Sequence, residues 1–224
     1  MTFAENFYAA FFEADRWMWY LQGLGNTLLI TLGAIAIGTV LGAILCLMKS
    51  SDHKLLSVPS RIYIDVIRGT PVMVQLLVMS LVVFTSRDAN KLLVAILAFG
   101  MNSGAYVAEI FRSGIASVDA GQMEAGRSLG LSKAKTMQKI IFPQAIKNCL
   151  PTYASEFIVL VKETAVAGTI GIMDLTKVYS TVQSRTYDAT APLLIIVVMY
   201  FAVTKLLSIL FAYMERRLRE SDKR

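Results

Sequence analysis

Apolar residues run almost unbroken from Leu24 to Met48, where only Thr31 and Thr39 interrupt them beyond Leu28. A helix that crosses a bilayer needs about 20 such residues. Four later stretches have comparable length: Arg61–Phe84, Leu92–Phe111, Thr152–Ile172 and Pro192–Tyr213, with ionisable residues inside the second, third and fourth. The pattern predicts five transmembrane helices. Gly38 and Gly42 in the first are spaced to let another helix approach closely. Phe3, Phe7 and Phe11 recur every four residues ahead of Trp17, Trp19 and Tyr20, which predicts an interfacial helix and an aromatic belt over residues 1–20. Glu5, Glu13 and Asp15 stand where a signal peptide would be basic.

Composition agrees with the pattern. Hydrophobic residues make up 55% of the 224 and charged residues 17%, with a mean hydropathy of +0.57. Soluble domains carry about 25% charged residues, so a soluble enzyme and a disordered chain are both excluded. The net charge of +6 therefore belongs to membrane flanks and not to a nucleic-acid surface. Lys and Arg crowd the segments 49–61, 112–147 and 216–224 and are sparse elsewhere, which sets the N-terminus outside and the C-terminus in the cytoplasm. Cys46, Cys149 and a single histidine, His53, form neither a disulfide framework nor a metal-ligand spacing.

The loop 113–151 is too polar to span and carries helix signals. Asp119 and Gln122 read as an N-cap and capping box, and Gly130 as the glycine that ends the helix. Ser132 opens a second helix through Lys133 to Ile141, which Pro143 is expected to stop. Inside the membrane, Asn102, Tyr106 and Glu109 fall on one helical face, and Glu156 and Glu163 on another, with Lys162 beside Glu163. Asp65 and Arg68 are spaced to pair along a helix, as are Glu109 and Arg112, while Lys205 is expected to snorkel. Pro71 disfavours helix at Thr70, and broken backbone at membrane depth is tolerated where it lines a cavity.

Glu124-Ala125-Gly126, three residues, Gly130, nine residues, Ile140, one residue and Phe142-Pro143 together resemble the EAA loop of ABC importer permeases. Gly126 replaces an alanine and Phe142 a leucine. Arg68-Gly69-Thr70-Pro71, the run Asn102 to Glu109, and Lys162-Glu163-Thr164 look like signatures of the polar amino-acid uptake branch, in the same order. The resemblance implies an all-α integral membrane fold with five transmembrane helices, a cytoplasmic coupling-helix loop and MetI-like permease architecture. It implies an interfacial segment 1–20, a permease domain 21–215 with its coupling loop at 113–151, and a basic tail 216–224.

The same resemblance implies a permease subunit of an ATP-driven polar amino-acid importer in the bacterial cytoplasmic (inner) membrane. Its partners would be a cytoplasmic ATP-binding subunit, a second permease subunit and an extracytoplasmic amino-acid-binding protein, with no nucleic acid. Glu124, Ala125, Gly126 and Gly130 would serve ATPase coupling. Thr70, Met73, Asn102, Glu109, Lys162 and Glu163 would line the substrate pathway, Lys162 and Glu163 offering both complements of a free amino acid. The chain has no phosphate loop, so no cofactor and no catalytic residue is expected in it, and ATP and Mg would sit on the partner ATPase. A secondary amino-acid or ion transporter that works without an ATPase is the alternative, using the same buried charges as a relay; it would have no use for a docking helix.

Overall fold

The computed structural model describes residues 2–86 and 88–220, with side chains as far as 217 apart from that of residue 87. Arg87 and the last four residues of the basic tail, including Lys223 and Arg224, lie outside the described residues. Every regular element among the described residues is helical: α1 Phe3–Phe11, α2 Arg16–Lys49, α3 Lys54–Arg68, α4 Val72–Val78, α5 Lys91–Ala116, α6 Ala120–Ser128, α7 Lys133–Thr136, α8 Phe142–Glu163, α9 Leu175–Thr186 and α10 Thr190–Glu220. Three helices are long and apolar enough to cross a membrane, within Glu13–Lys49, Lys91–Ala116 and Thr190–Arg217. The pair α3 and α4 is a fourth candidate crossing, bent by 107°. α8 does not meet that criterion on its own.

The aromatic N-terminal segment splits in two. α1 is closed at its start by a capping box between Thr2 and Glu5, and the chain turns through left-handed Ala14 and Asp15 before α2 begins at Arg16. Trp17, Trp19 and Tyr20 are thus the first turns of the long helix. The Arg16 guanidinium donates to the Ala9 carbonyl at the end of α1, and Phe11 stacks on Tyr20.

α2 and α5 form the central seam. A Cβ on Gly38 would lie 2.9 Å from the Ser103 Cβ, and one on Gly42 only 2.7 Å from the Val107 Cβ. The seam is reciprocal, because Gly100 faces Ile37 and Gly104 faces Leu41 at 2.8–2.9 Å. These contacts advance along both helices together, so α2 and α5 run parallel, and the chain recrosses between them through α3 and α4. Lipid tails are as apolar as the side chains, so close backbone packing and not solvent exclusion holds such a pair. α8 returns antiparallel to α5, as Gly114 against Cys149 and Ser103 against Glu156 require. The start of α10 packs with Tyr20 and α9, and Phe211 near its other end meets Phe157 of α8 at 5.4 Å. In its most apolar window α5 is 61% buried and α10 only 11%, so α5 is the axis of the bundle and α10 lies at its edge.

Of the two proline expectations, one holds and one needs correction. Pro71 breaks the second apolar stretch as expected: α3 ends at Arg68, and α4 sets off at a steep angle after extended Pro71. The helix from Ser132 does not stop before Pro143. α7 widens into a π-turn over Met137–Ile141, in which the Phe142 N–H reaches back to Met137. The wide turn relieves the clash that a proline makes with the preceding turn, and the rod continues as α8 to Glu163. Asp65 and Arg68 do not pair either; the Arg68 guanidinium lies 5.2 Å above the Tyr106 ring.

Replacing Gly42 by leucine should separate α2 from α5, since even a Cβ there overlaps Val107. Overpacking of this kind costs about 1–3 kcal/mol. The expected outcome is a clear fall in melting temperature of the detergent-purified protein, measured against Gly25→Leu, whose Cβ position has no neighbour within 4 Å.

Candidate functional site: a broken helix, a charge pair and a helical hairpin

The break at Gly69-Thr70-Pro71 is braced by one side chain that the sequence pattern did not single out. Gln75, on the first turn of α4, directs its amide nitrogen at the Ile67 carbonyl (2.7 Å) and the Thr70 Oγ1 (2.9 Å). Its Oε1 accepts from the Asn102 Nδ2 at 2.9 Å. The Thr70 hydroxyl donates to the Val66 carbonyl at 2.9 Å. Thr70, Gln75 and Asn102 therefore form one network tying both halves of the broken helix to α5. The Asn102 Oδ1 is buried without a partner. Met73, 41% exposed, is outside this network.

Lys162 and Glu163 sit at a helix end and not mid-helix. α8 terminates at Glu163 and the chain tightens into a 3-10 helix over Thr164–Ile170, closed by left-handed Gly171. The Thr164 hydroxyl takes the Val161 carbonyl at 2.7 Å, and buried Asp174 accepts the Gly168 N–H at 3.3 Å while capping α9 through the Lys177 N–H at 2.6 Å. Those local bonds compete with the ordinary helical ladder, which is why an apolar run did not continue as α-helix. Lys162 is exposed and Glu163 half-buried. Among the described residues neither side chain makes a hydrogen bond or salt bridge. The 3-10 segment packs against α4, and Val72, Leu76, Leu160 and Ala167 share one core cluster. The broken helix and the charge pair thus stand on the same packing unit, without direct contact between their polar groups.

Glu109 is placed differently. Its Oε1 meets the Lys49 Nζ at 2.5 Å and its Oε2 takes two donors of Arg112 at 3.0 Å. This ion triad clamps the corresponding ends of α2 and α5.

The polar loop folds as a hairpin. Asp119 caps α6 through the Gly121 N–H at 2.7 Å, although Gln122 reaches Gln144 and does not complete a box. Gly130, at φ +80°, ends α6 with paired bonds: Gly130 N–H to the Arg127 carbonyl and Leu131 N–H to the Gly126 carbonyl, at 3.0 and 3.1 Å. That is a complete Schellman closure. Ser132 then caps α7 through the Lys135 N–H. Gly126 is buried, and a Cβ there would lie 2.5 Å from the Thr136 Cγ2, so the glycine sets how closely α6 lies on α7. Glu124 and Ala125 are exposed on the opposite face. A residue larger than glycine at 126 should push α6 off α7: Gly126→Ala is expected to lower the melting temperature, and Thr136→Ala added to it should recover most of the loss. Thermal unfolding of the detergent-purified protein measures both.

The chain was compared with known proteins. Residues 34–220 match the family model of the binding-protein-dependent transport system inner membrane component. The chain is 34% identical to the arginine transport system permease protein ArtQ of Bacillus subtilis, over 90% of this chain and 93% of that protein. It is 36% identical to the octopine transport system permease protein OccM of Rhizobium radiobacter, over 75% and 72%. Among solved structures, an amino acid ABC transporter crystallised with histidines superposes with a TM-score of 0.84 at 44% identity, covering 89% of this chain and 94% of that one. The MetNI methionine ABC transporter superposes at 0.74 with 19% identity, which speaks for the fold alone. With the family match over most of its length, this chain belongs to the binding-protein-dependent transport system inner membrane component family.

Proposed function

We propose that the chain is the membrane-spanning subunit of an ATP-driven importer of polar amino acids, crossing the bacterial inner membrane five times with its N-terminus outside. The relatives named for amino-acid transport and the 44% identical amino-acid transporter support the substrate class. The observation that carries the reading is the pair Lys162–Glu163, opposite charges left unbonded at the end of α8 beside a broken helix. A free amino acid presents an ammonium to Glu163 and a carboxylate to Lys162. Thr70, Met73 and Asn102 line the pathway beside the broken helix, and the carbonyls at the C-terminal end of α8 favour the substrate's cation. Glu109 lies farther along α5 at the cytoplasmic end, where its ion triad holds the pathway's wall.

Coupling follows from continuity. The segment from Ser132 through α7, the π-turn and α8 to Glu163 is one rod of roughly 45 Å at 1.5 Å per residue. A displacement of the hairpin by a cytoplasmic ATPase is carried along it to the charge pair. Glu124, Ala125, Gly126 and Gly130 form the docking hairpin, with Glu124 facing out for a basic partner. A second permease subunit completes the pathway, and an extracytoplasmic binding protein delivers the substrate. ATP and Mg belong to the ATPase, and this chain performs no catalysis of its own. Residues 21–215 form the permease domain, with the coupling loop at 113–151 and the basic tail at 216–224.

Glu163→Gln keeps side-chain volume and removes the charge. A charge-assisted hydrogen bond contributes about 1.5–3 kcal/mol, so amino-acid affinity of the purified transporter should fall roughly tenfold or more, with its melting temperature unchanged. A stable variant that binds as tightly as the parent places the site elsewhere.

A further inference from the structure

α2, α5 and α8 leave an apolar cavity of about 220 Å³ between them at their hairpin ends. Ala43 and Leu47 of α2, Phe111 and Ile115 of α5, and Phe142 and Ile146 of α8 line it, together with the thiols of Cys46 and Cys149. A buried thiol behaves as a small apolar group, and the Cys149 Sγ already donates to the Ile146 carbonyl at 3.3 Å. Toward the middle of the bundle the cavity is closed, because Phe111 stacks on Tyr153 at 6.0 Å and the Tyr153 hydroxyl meets Thr39 at 2.5 Å. At its rim Leu47, Phe142 and Ile146 are exposed. Packed interiors seldom keep a void of this size, and one without polar partners does not hold water. Hydrocarbon is the chemistry that fits. From Phe142 to Cys149 the wall of α8 is about 10 Å long, roughly two thirds of the hydrocarbon depth of one leaflet. The surroundings of the rim are basic. Lys139 stands three residues before Phe142 and Lys147 next to Ile146, both exposed. Lys49, two residues after Leu47, shares the one carboxylate of Glu109 with Arg112, which leaves that triad an excess positive charge.

We propose that this cavity binds one anionic phospholipid of the leaflet on the hairpin side, with an acyl chain seated between α2 and α8 and the phosphate held by Lys139, Lys147 and the Lys49 triad. The inference goes beyond the transport reading and uses no part of the substrate site. A zwitterionic lipid offers the same chain but brings a cation of its own to a basic rim. A peptide segment would bring backbone amides and carbonyls to a wall that has no partners for them. The walls belong to two parts of the fold. α2 and α5 are fixed to each other by the glycine seam, whereas Phe142 and Ile146 follow directly on the π-turn that joins the hairpin to α8. A chain in the cavity supplies the contacts these walls do not make with each other, and so ties the start of α8 to the seam. The charge of the lipid headgroup then sets how firmly the base of the hairpin is held.

The test uses the complete transporter, with its ATPase, in nanodiscs of phosphatidylcholine that carry a minor share of a lipid brominated along its acyl chains. Phe142→Trp places a fluorescent reporter in the cavity wall, and its quenching is the difference between this variant and the parent. Brominated phosphatidylglycerol should quench the reporter more effectively than brominated phosphatidylcholine at the same share, and Lys139→Gln should lower that preference about fivefold, the contribution of one lysine beside an anionic headgroup. Equal quenching by the two lipids, as an ordinary lipid annulus gives, overturns the proposal. Absence of quenching by either, as a second permease subunit seated on the cavity requires, overturns it as well. A second measurement needs no reporter and covers a Phe142 variant that does not fold. Phosphatidylglycerol added to the detergent-purified transporter should raise its melting temperature more than phosphatidylcholine does, because a ligand of the folded state stabilises it by mass action. Ala43→Phe fills the cavity and should abolish the difference between the two lipids. No difference between the lipids in the parent, or the same difference in Ala43→Phe, overturns the assignment.

Discussion

Backbone amides and carbonyls released inside a bilayer have to be paired by the protein itself, since lipid offers them nothing. The layout of this chain depends on how it meets that constraint wherever it leaves the regular helix. At Gly69-Thr70-Pro71 the amide of Gln75 and the hydroxyl of Thr70 take the stranded carbonyls of Ile67 and Val66. At Thr164 the local hydroxyl and the Asp174 carboxylate do the same work. Before Pro143 the chain widens by one residue, so that the amide of Phe142 finds Met137. Each interruption is held shut, and each can therefore be placed where chemistry needs it.

What holds the interruptions in register is the glycine seam. α2 and α5 are parallel and touch through backbone, so α5 is a fixed axis on which the broken α3–α4 crossing and the returning α8 are mounted. Asn102 reaches Gln75 from this axis, Ser103 reaches Glu156, and Glu109 ties its end to Lys49 of α2. The polar residues of α5 face three different partners because α5 is the axis on which the other helices pack.

Much of this was legible in the residues. The spacing of Gly38 and Gly42 announced a close helix contact, Pro71 a break, and Asp119, Gly130 and Ser132 the ends of the hairpin helices, because caps and left-handed glycines act within a few residues. Their partners were not legible. Gln75 has no local signature, since its acceptors become neighbours only after the chain bends. The π-turn before Pro143 depends on a hydrogen bond five residues long that no composition encodes, and so Pro143 read as a stop. Lys162 and Glu163 read as mid-helix because the apolar run continues past them, although hydroxyls and Gly171 end the α-helix there. Glu156 was visible as a buried charge, but only the packing of α8 on α5 gave it a partner in Ser103.

In the proposed coupling, one continuous rod ties the hairpin to the charge pair beside the broken helix, and the energy comes from a separate ATPase. The direct measurement is accumulation of a radiolabelled amino acid in liposomes that contain the permease with and without its ATPase. With the ATPase and the binding protein placed inside and outside respectively, hydrolysis of internal ATP should drive export-blocked, concentrative uptake in the absence of any ion gradient, and permease alone should give none. Concentrative uptake by the permease alone, driven by a proton or sodium gradient, would contradict the account.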